Sequence, residues 1–334
     1  MSALAPYSPG PERPMQTGPG RRSSPMSWRW GDRLALAFAW TAGIGLCLIA
    51  AAIVIYMGYR GVEYLRPSLL VSRPSAGTSQ NATGGFLDPL LGTALLTLIG
   101  VLLAVPLAVG SAVWIAEYGR PTWLARAVES SIEIVAGTPD IVIAIFGLAI
   151  FQLSLFAPFS FTAEHGGVFG RSFIAAGAMM SLIALPPLFT ATRDGLQAVP
   201  AHMREAAFAL GKTRIATIRR VLLPSVRSNI ATGVTLGVSR IIGDTAIVVL
   251  LLGETLRFGP QGSVPAINIL RGTGASLTSY IYDNSPAGEG AAPQKAYAAA
   301  FVLIVFVLLL NLIVQRIGRS GTDSTGLTAV GGVV

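Results

Sequence analysis

Six long apolar stretches constrain the fold of this chain more than any other feature of its sequence. A helix that crosses the hydrocarbon core of a bilayer needs about 20 mostly apolar residues. Charged residues make up 12% of the chain, against about 25% in a typical soluble domain. The sequence therefore predicts an all-α, polytopic membrane protein with six transmembrane helices between residues 31 and 319. The six stretches are residues 34–57, 89–116, 134–161, 172–192, 229–252 and 296–315.

The distribution of basic residues predicts how these spans are oriented. If both termini lie in the cytoplasm, the inner segments carry 16 Lys and Arg residues and the outer segments carry seven. This difference follows the positive-inside rule. It also places residues 194–227, the most basic connection, in the cytoplasm. The flanking segments 1–30 and 320–334 are rich in Gly, Ser, Pro or Thr without an apolar period, and we expect both to be disordered tails.

No catalytic or metal-binding constellation is visible in the sequence. A single cysteine, Cys47, excludes an intramolecular disulfide, and the two histidines have no ligand cluster around them. There is no Walker motif, Ser/His/Asp triad or thiolate cluster. We therefore expect that the chain is not an enzyme and that it binds no metal and no cofactor of its own.

The cytoplasmic segment 194–227 is predicted to divide at Gly211 into two short helices. Small side chains in residues 203–210 would allow close approach of a partner, and Gly211 permits a turn that residues with a Cβ resist. The second piece has apolar residues at i, i+3 and i+7, which predicts one apolar face. Two functions fit this pattern: a lever moved by a partner protein, or an amphipathic helix at the membrane surface. The residues of the predicted face are Ile215, Ile218 and Leu222.

The same segment resembles the cytoplasmic coupling loop, with its EAA motif, of bacterial ABC importer permeases. In that family the loop docks into a cleft on a separate ATP-hydrolysing subunit. The resemblance therefore implies that ATP is bound and hydrolysed by a partner. It rests on Glu205, Ala206, Ala207, Gly211, Leu223 and Pro224.

Further stretches are similar to the phosphate-specific importer permeases of the bacterial inner membrane. The resemblance implies a phosphate-binding protein outside the membrane, an ATPase dimer inside and a second, homologous permease subunit. Of the two permease types, the chain is closer to the A-type. Two positions depart from that pattern: Asp244 stands where the family usually has Glu, and Arg193-Asp194 resembles the other subunit. The similar stretches are Gly92-Thr93 and residues 114–118, 133–140, 145–149 and 237–246.

Charged residues inside the predicted spans are candidates for a substrate pathway. Arg240 and Asp244 are four residues apart, which is one face of a helix. A charge within the hydrocarbon costs about 2.5–3.5 kcal/mol or more, so it normally faces a pathway or a partner. Arg240 would bind phosphate while Asp244 holds it in place, or the two would form a structural ion pair; the sequence favours neither. Arg193, at the inner end of the fourth span, is a further pathway candidate or a positive-inside anchor.

Residues 137–140, Gly-Thr-Pro-Asp, interrupt the third span. A helix that begins near Pro139 would direct its N-terminus toward an anion. The alternative is a proline kink that leaves Asp140 at the cytoplasmic interface.

Three alternative functions follow from the same observations. A permease of this superfamily for molybdate, sulfate or phosphonate would carry the same loop. A proton- or sodium-driven carrier that works alone would need no ATPase partner. An intramembrane enzyme is disfavoured by the missing catalytic residues.

Overall fold

The regular elements of the structure are helices, as the sequence predicts. The computed structural model describes residues 30–73, 84–119, 121–161, 167–253, 266–286, 288 and 292–319. The predicted tail 1–30 therefore lies outside the described residues except for Trp30, and so does the whole of tail 320–334. The helices are α1 Trp30–Tyr64, α2 Pro67–Val71, α3 Leu87–Glu117, α4 Thr122–Gly137, α5 Asp140–Phe151, α6 Phe173–Ala198, α7 Ala201–Ala209, α8 Arg214–Thr217, α9 Leu223–Ser225, α10 Arg227–Gly243, α11 Ala246–Leu251, α12 Ala266–Arg271, α13 Leu277–Asn284 and α14 Pro293–Arg319.

Four helices in the described part of the chain are each long and apolar enough to cross a bilayer, namely α1, α3, α6 and α14. Helices α4 and α5 form a fifth candidate span, which is bent by 110° at its break. The predicted interruption at residues 137–140 is therefore confirmed. Helix α5 has 12 residues and is about 18 Å long, shorter than the ~30 Å hydrocarbon core. The predicted third span, 134–161, is thus not one continuous helix.

The predicted span 229–252 is also divided. Helix α10 has 17 residues, or about 26 Å, and the six-residue α11 follows it after a break at Asp244 and Thr245. The backbone at Asp244 is extended, which ends α10 at Gly243. Two of the predicted spans are therefore pairs of short helices, and a charged residue lies at each break.

Residues 30–56 and residues from Met57 onward form two separate units. The first unit is the greater part of α1, a helix with exposed apolar side chains along its length and with Cys47 exposed. In the second unit, the last turns of α1 belong to the helical core, where Gly61 packs closely against Phe301 of α14.

Helix α6 is the centre of the second unit. Two thirds of its most apolar window is buried, compared with one third for α3. It packs against α3 on one side and α10 on another. Small residues at the contacts allow the backbones to approach closely, as is usual between membrane helices. Gly177 of α6 meets Ile99 of α3, Gly237 of α10 meets Ala184 of α6, and Gly100 of α3 meets Ile241 of α10.

We expect Gly177→Leu to destabilise the α3–α6 contact, whereas Gly110→Leu leaves stability unchanged. A Cβ at Gly177 would lie 2.5 Å from Cγ2 of Ile99, but a Cβ at Gly110, also on a membrane helix, would meet nothing within 4 Å. Overpacking costs about 1–3 kcal/mol. The measurement is thermal unfolding of the purified chain in detergent, where the Gly177 variant should melt several degrees lower. Equal melting temperatures for the two variants would contradict this packing.

Candidate functional site

The two helix breaks bring together an aspartate and an arginine that are 100 residues apart in the sequence. Asp140 is the first residue of α5, where its negative charge suits the helix dipole, and Arg240 lies in the last turn of α10. Nη2 of Arg240 is 3.3 Å from Oδ1 of Asp140. The two side chains are 40% and 35% exposed. This pair is the first candidate site, and we call it the break pair.

The geometry of the break pair leaves the arginine able to bind a second anion. Charge-assisted N–H···O bonds are usually about 2.7–2.9 Å long, and arginine often donates two in parallel to a carboxylate. Here the contact is longer and involves one nitrogen of Arg240 and one oxygen of Asp140. Among the described residues this is the only hydrogen bond of the Arg240 guanidinium. Its remaining donors are therefore available to an oxyanion.

Asp244 does not take the position that its spacing from Arg240 predicts. Because α10 ends at Gly243, the two residues are not successive positions on one helix face. The Asp244 side chain is buried, and Oδ2 accepts a hydrogen bond of 2.8 Å from the backbone N–H of Ile247 in α11. Its carbonyl oxygen accepts a bond of 3.2 Å from Oγ1 of Thr278. Asp244 thus holds the α10–α11 break, and the ion-pair partner of Arg240 is Asp140.

Arg193, the third predicted pathway residue, forms an ion pair with another helix. Its Nη2 lies 3.1 Å from Oε1 of Glu129 in α4. The Nε atom of Arg193 is buried and has no hydrogen-bond partner among the described residues. The pair connects α6 to the middle of α4. No local pattern in the sequence points to Glu129 as the partner of Arg193, because the two residues are 64 positions apart.

The segment 194–227 has the predicted division at Gly211. Helix α7 ends at Ala209, and Gly211 has a φ of +71°, a conformation in which a Cβ is strained. Helix α8 then starts after Thr213, whose side chain accepts a hydrogen bond from the N–H of Ala216. Such a cap satisfies one of the free donors at a helix start. The chain therefore forms two short helical arms joined by a glycine turn, and we call residues 201–225 the coupling loop.

The predicted apolar face of the second arm is wrong for one residue. Ile218 and Leu222 are buried, but Ile215 is 63% exposed. The cause is a π-helical segment at residues 218–222, in which the hydrogen bonds run from i to i+5. Because this winding is wider than 3.6 residues per turn, Ile215 is no longer on the same face as Leu222.

The residues that resemble the coupling motif lie on both faces of the coupling loop. Glu205, Ala206, Gly211 and Pro224 are exposed, Leu223 is half-buried and Ala207 is buried. Three large apolar side chains near the glycine turn are also exposed, and an exposed cluster of this kind is typical of an interaction surface. We call them the docking face; they are Phe208, Leu210 and Ile215.

Two residues that the sequence did not single out for this site fix the coupling loop to the membrane helices. Nε of Arg204 in α7 lies 2.9 Å from Oε1 of Glu117 at the end of α3. The same guanidinium donates bonds of 2.8 Å to the carbonyl oxygens of Leu196 and Val199 at the end of α6. The only available signal was a lone acidic residue at the end of an apolar helix and an arginine directly before Glu205.

Fold and site together define a class of protein: a multi-pass membrane permease with two short helical arms between its membrane helices. The sequence matches the family described as "Binding-protein-dependent transport system inner membrane component" over residues 104–320. This match covers more than half of the chain. The chain belongs to that family.

Several relatives align over most of their length. The chain is 29% identical to the "Probable ABC transporter permease protein YqgI" of Bacillus subtilis (strain 168), covering 86% of this chain and 95% of the relative. It is 27% identical to the phosphate transport system permease protein PstC of Xylella fastidiosa (strain 9a5c), covering 82% and 84%. It is 30% identical to the phosphate transport system permease protein PstA 1 of Mycobacterium tuberculosis (strain CDC 1551 / Oshkosh), covering 69% of each.

Solved structures share the fold at low sequence identity. A chain of a bacterial alginate ABC transporter aligns with a TM-score of 0.60 at 17% identity, over 87% of this chain and 96% of that chain. A chain of the MetNI methionine ABC transporter aligns with a TM-score of 0.51, also at 17% identity, over 71% and 94%. The predicted permease architecture is thereby confirmed. Like its named relatives, the chain is a permease subunit.

Proposed function

We propose that this chain forms half of the translocation pathway of an ATP-driven phosphate importer. The observation that carries the proposal is Arg240, a guanidinium with unused donors at a helix break, in a predicted span whose only other charged residue is Asp244. Arginine suits phosphate because its planar fork matches two phosphate oxygens. The names of the PstA and PstC relatives support this choice of substrate.

The proposed pathway uses the break pair as its selective element. An entering phosphate competes with the Asp140 carboxylate for Arg240, since both are oxyanions and the existing contact is a single bond of 3.3 Å. Asp244 sets the course of the backbone at the α10–α11 break through its bond to Ile247. Arg193 contributes positive charge nearer the cytoplasmic end while its pair with Glu129 keeps α4 against α6.

The proposed assembly follows from the orientation of the chain. Both termini and the coupling loop lie on the cytoplasmic side of a bacterial inner membrane. An ABC ATPase dimer, which binds and hydrolyses ATP, contacts the docking face and the exposed Glu205. A homologous permease subunit supplies the other half of the pathway, and an extracytoplasmic phosphate-binding protein delivers the substrate. The chain itself needs no cofactor or metal.

The test is uptake of labelled oxyanions by vesicles that contain the chain and its candidate partners. We expect uptake of labelled phosphate that requires ATP on the side of the membrane where the coupling loop lies. Excess unlabelled phosphate should abolish this uptake. Molybdate, sulfate and a phosphonate serve as parallel substrates. ATP-dependent uptake of one of these without phosphate uptake would retain the architecture and overturn the substrate. Uptake by the chain alone, driven by a proton or sodium gradient, would overturn the coupling to an ATPase.

A further inference from the structure

Two arginines on opposite sides of the Gly211 turn contact the same helix end. Arg204 belongs to α7, the first arm of the coupling loop, and pairs with the Glu117 side chain. Arg214 belongs to α8, the second arm, and its Nη1 donates a bond of 3.3 Å to the Glu117 carbonyl oxygen. The Arg214 guanidinium also lies 5.5 Å from the ring centroid of Tyr118, within the range of a cation–π contact. Both arms of the loop are therefore attached to the last residues of α3.

Arg204 is the more firmly held of the two arginines. It makes three hydrogen bonds of 2.8–2.9 Å, one to Glu117 and two to backbone carbonyls at the end of α6. Its side chain is 24% exposed and that of Glu117 only 8% exposed. The last carbonyls of a helix have no partner within the helix, so a basic side chain that reaches them completes the helix end. One guanidinium thus connects three elements: α3, α6 and α7.

We propose that Arg204 is a positioning residue that makes the coupling loop and the cytoplasmic ends of α3 and α6 move as one body. This inference rests on the proposed function, in which a partner ATPase pushes the coupling loop. Helix α7 is joined to α6 through Val199 and Pro200 and to α8 through the glycine turn, and Met203 is its side chain that packs against the hydrophobic core. The hydrogen bonds of Arg204 are the polar contacts that resist rotation of α7 about these two joints when the docking face is pushed. With Arg204 in place, a displacement of the coupling loop also displaces the cytoplasmic ends of α3 and α6.

The first test measures how many anions are transported for each ATP hydrolysed by the assembled complex. We expect Arg204→Gln to retain the ATPase subunits and ATP hydrolysis within about twofold of wild type, and to lower transport per ATP at least fivefold. Arg204→Lys, which keeps the charge pair with Glu117 but cannot reach both carbonyls, should recover part of that loss. Arg219→Gln, an exposed arginine on the same loop, removes the same charge and should behave as wild type. Unchanged transport per ATP in Arg204→Gln would overturn the proposal.

The second test follows the position of the loop without relying on the substrate. Cys47→Ser gives a cysteine-free chain, and spin labels are then attached at Ala116→Cys on α3 and Lys212→Cys next to the turn, both exposed positions. In the otherwise wild-type complex we expect one narrow distance distribution that does not change when ATP is bound. Arg204→Gln should broaden it, whereas Arg219→Gln should not.

The outcomes separate this inference from the proposed function. A distance between α3 and the loop that changes on ATP binding in the wild-type complex would overturn the shared movement. A narrow, unchanged distribution in a complex that takes up no phosphate would overturn the substrate but keep the role of Arg204.

Discussion

Replacing Arg240 by Gln is expected to lower ATP-dependent phosphate uptake roughly 10- to 100-fold without loss of the assembled complex. A hydrogen bond to a charged group contributes about 1.5–3 kcal/mol, and about 1.4 kcal/mol corresponds to a factor of ten. Glutamine is polar but uncharged, so it cannot donate two parallel, charge-assisted hydrogen bonds to an oxyanion. Arg240→Lys retains the charge without the fork, so an intermediate rate is expected. The measurement is initial uptake at several phosphate concentrations in vesicles that hold equal amounts of complex.

A double substitution separates a pathway role from a structural ion pair. If the break pair serves only to hold α5 against α10, neutralising both residues leaves no unpaired charge, and Arg240→Gln combined with Asp140→Asn should regain uptake. If Arg240 contacts the substrate, the double variant stays as slow as the single one. Asp140→Asn alone then keeps substantial uptake, because the arginine remains. Full recovery in the double variant would exclude the pathway role of Arg240.

Placing a carboxylate on the docking face is expected to remove the ATPase from the complex. Leu210 and Ile215 are 79% and 63% exposed in the chain alone. Full burial of such a side chain contributes about 1.5–3 kcal/mol, and the central apolar residues of an interface usually dominate its affinity. We therefore expect Leu210→Glu and Ile215→Glu each to weaken ATPase binding at least tenfold and to abolish ATP-dependent uptake. Co-purification in detergent and titration of the ATPase subunit measure the loss.

The matched control is Leu155→Glu. Leu155 is 78% exposed, like Leu210, but it lies in the short 3-10 segment Ser154–Phe159, at the end of the predicted third span that faces away from the coupling loop. It should leave ATPase binding unchanged in detergent. Normal ATPase binding by Leu210→Glu and Ile215→Glu would show that the partner attaches elsewhere.

Local sequence patterns were sufficient to predict the helical fold, the break at residues 137–140 and the turn at Gly211, but not the break at Asp244 and Thr245. Length and polarity identified the apolar segments, and Gly211 identified the turn because few other residues tolerate a φ of +71°. The apolar face that includes Ile215 was predicted from a period of 3.6 residues, which the π-helical segment does not obey. The change from α-helical to π-helical winding depends on packing, and no short sequence motif predicts it.

The partners of the charged residues could not be predicted, because each pair joins residues far apart in the chain. Asp140 and Arg240 are 100 positions apart, and Glu117 and Arg204 are 87 apart. Spacing along one helix suggested Asp244 for Arg240, but the extended backbone at Asp244 turns that carboxylate toward α11 instead. Contacts of this kind are decided by how the helices pack.

The coincidence of the break pair with the two interrupted helices has a thermodynamic consequence. Asp140 begins α5 and Arg240 lies in the last turn of α10, so a movement of α5 relative to α10 alters the separation of their charges. An anion that binds Arg240 in place of Asp140 must then favour the conformation of the helix breaks in which the Asp140 carboxylate is farther from Arg240. By reciprocity, whatever imposes that conformation raises the affinity for the anion by the same factor. Anion binding and the change in helix conformation would then be one coupled equilibrium. It could be measured either as anion affinity or as a change in the helix angle.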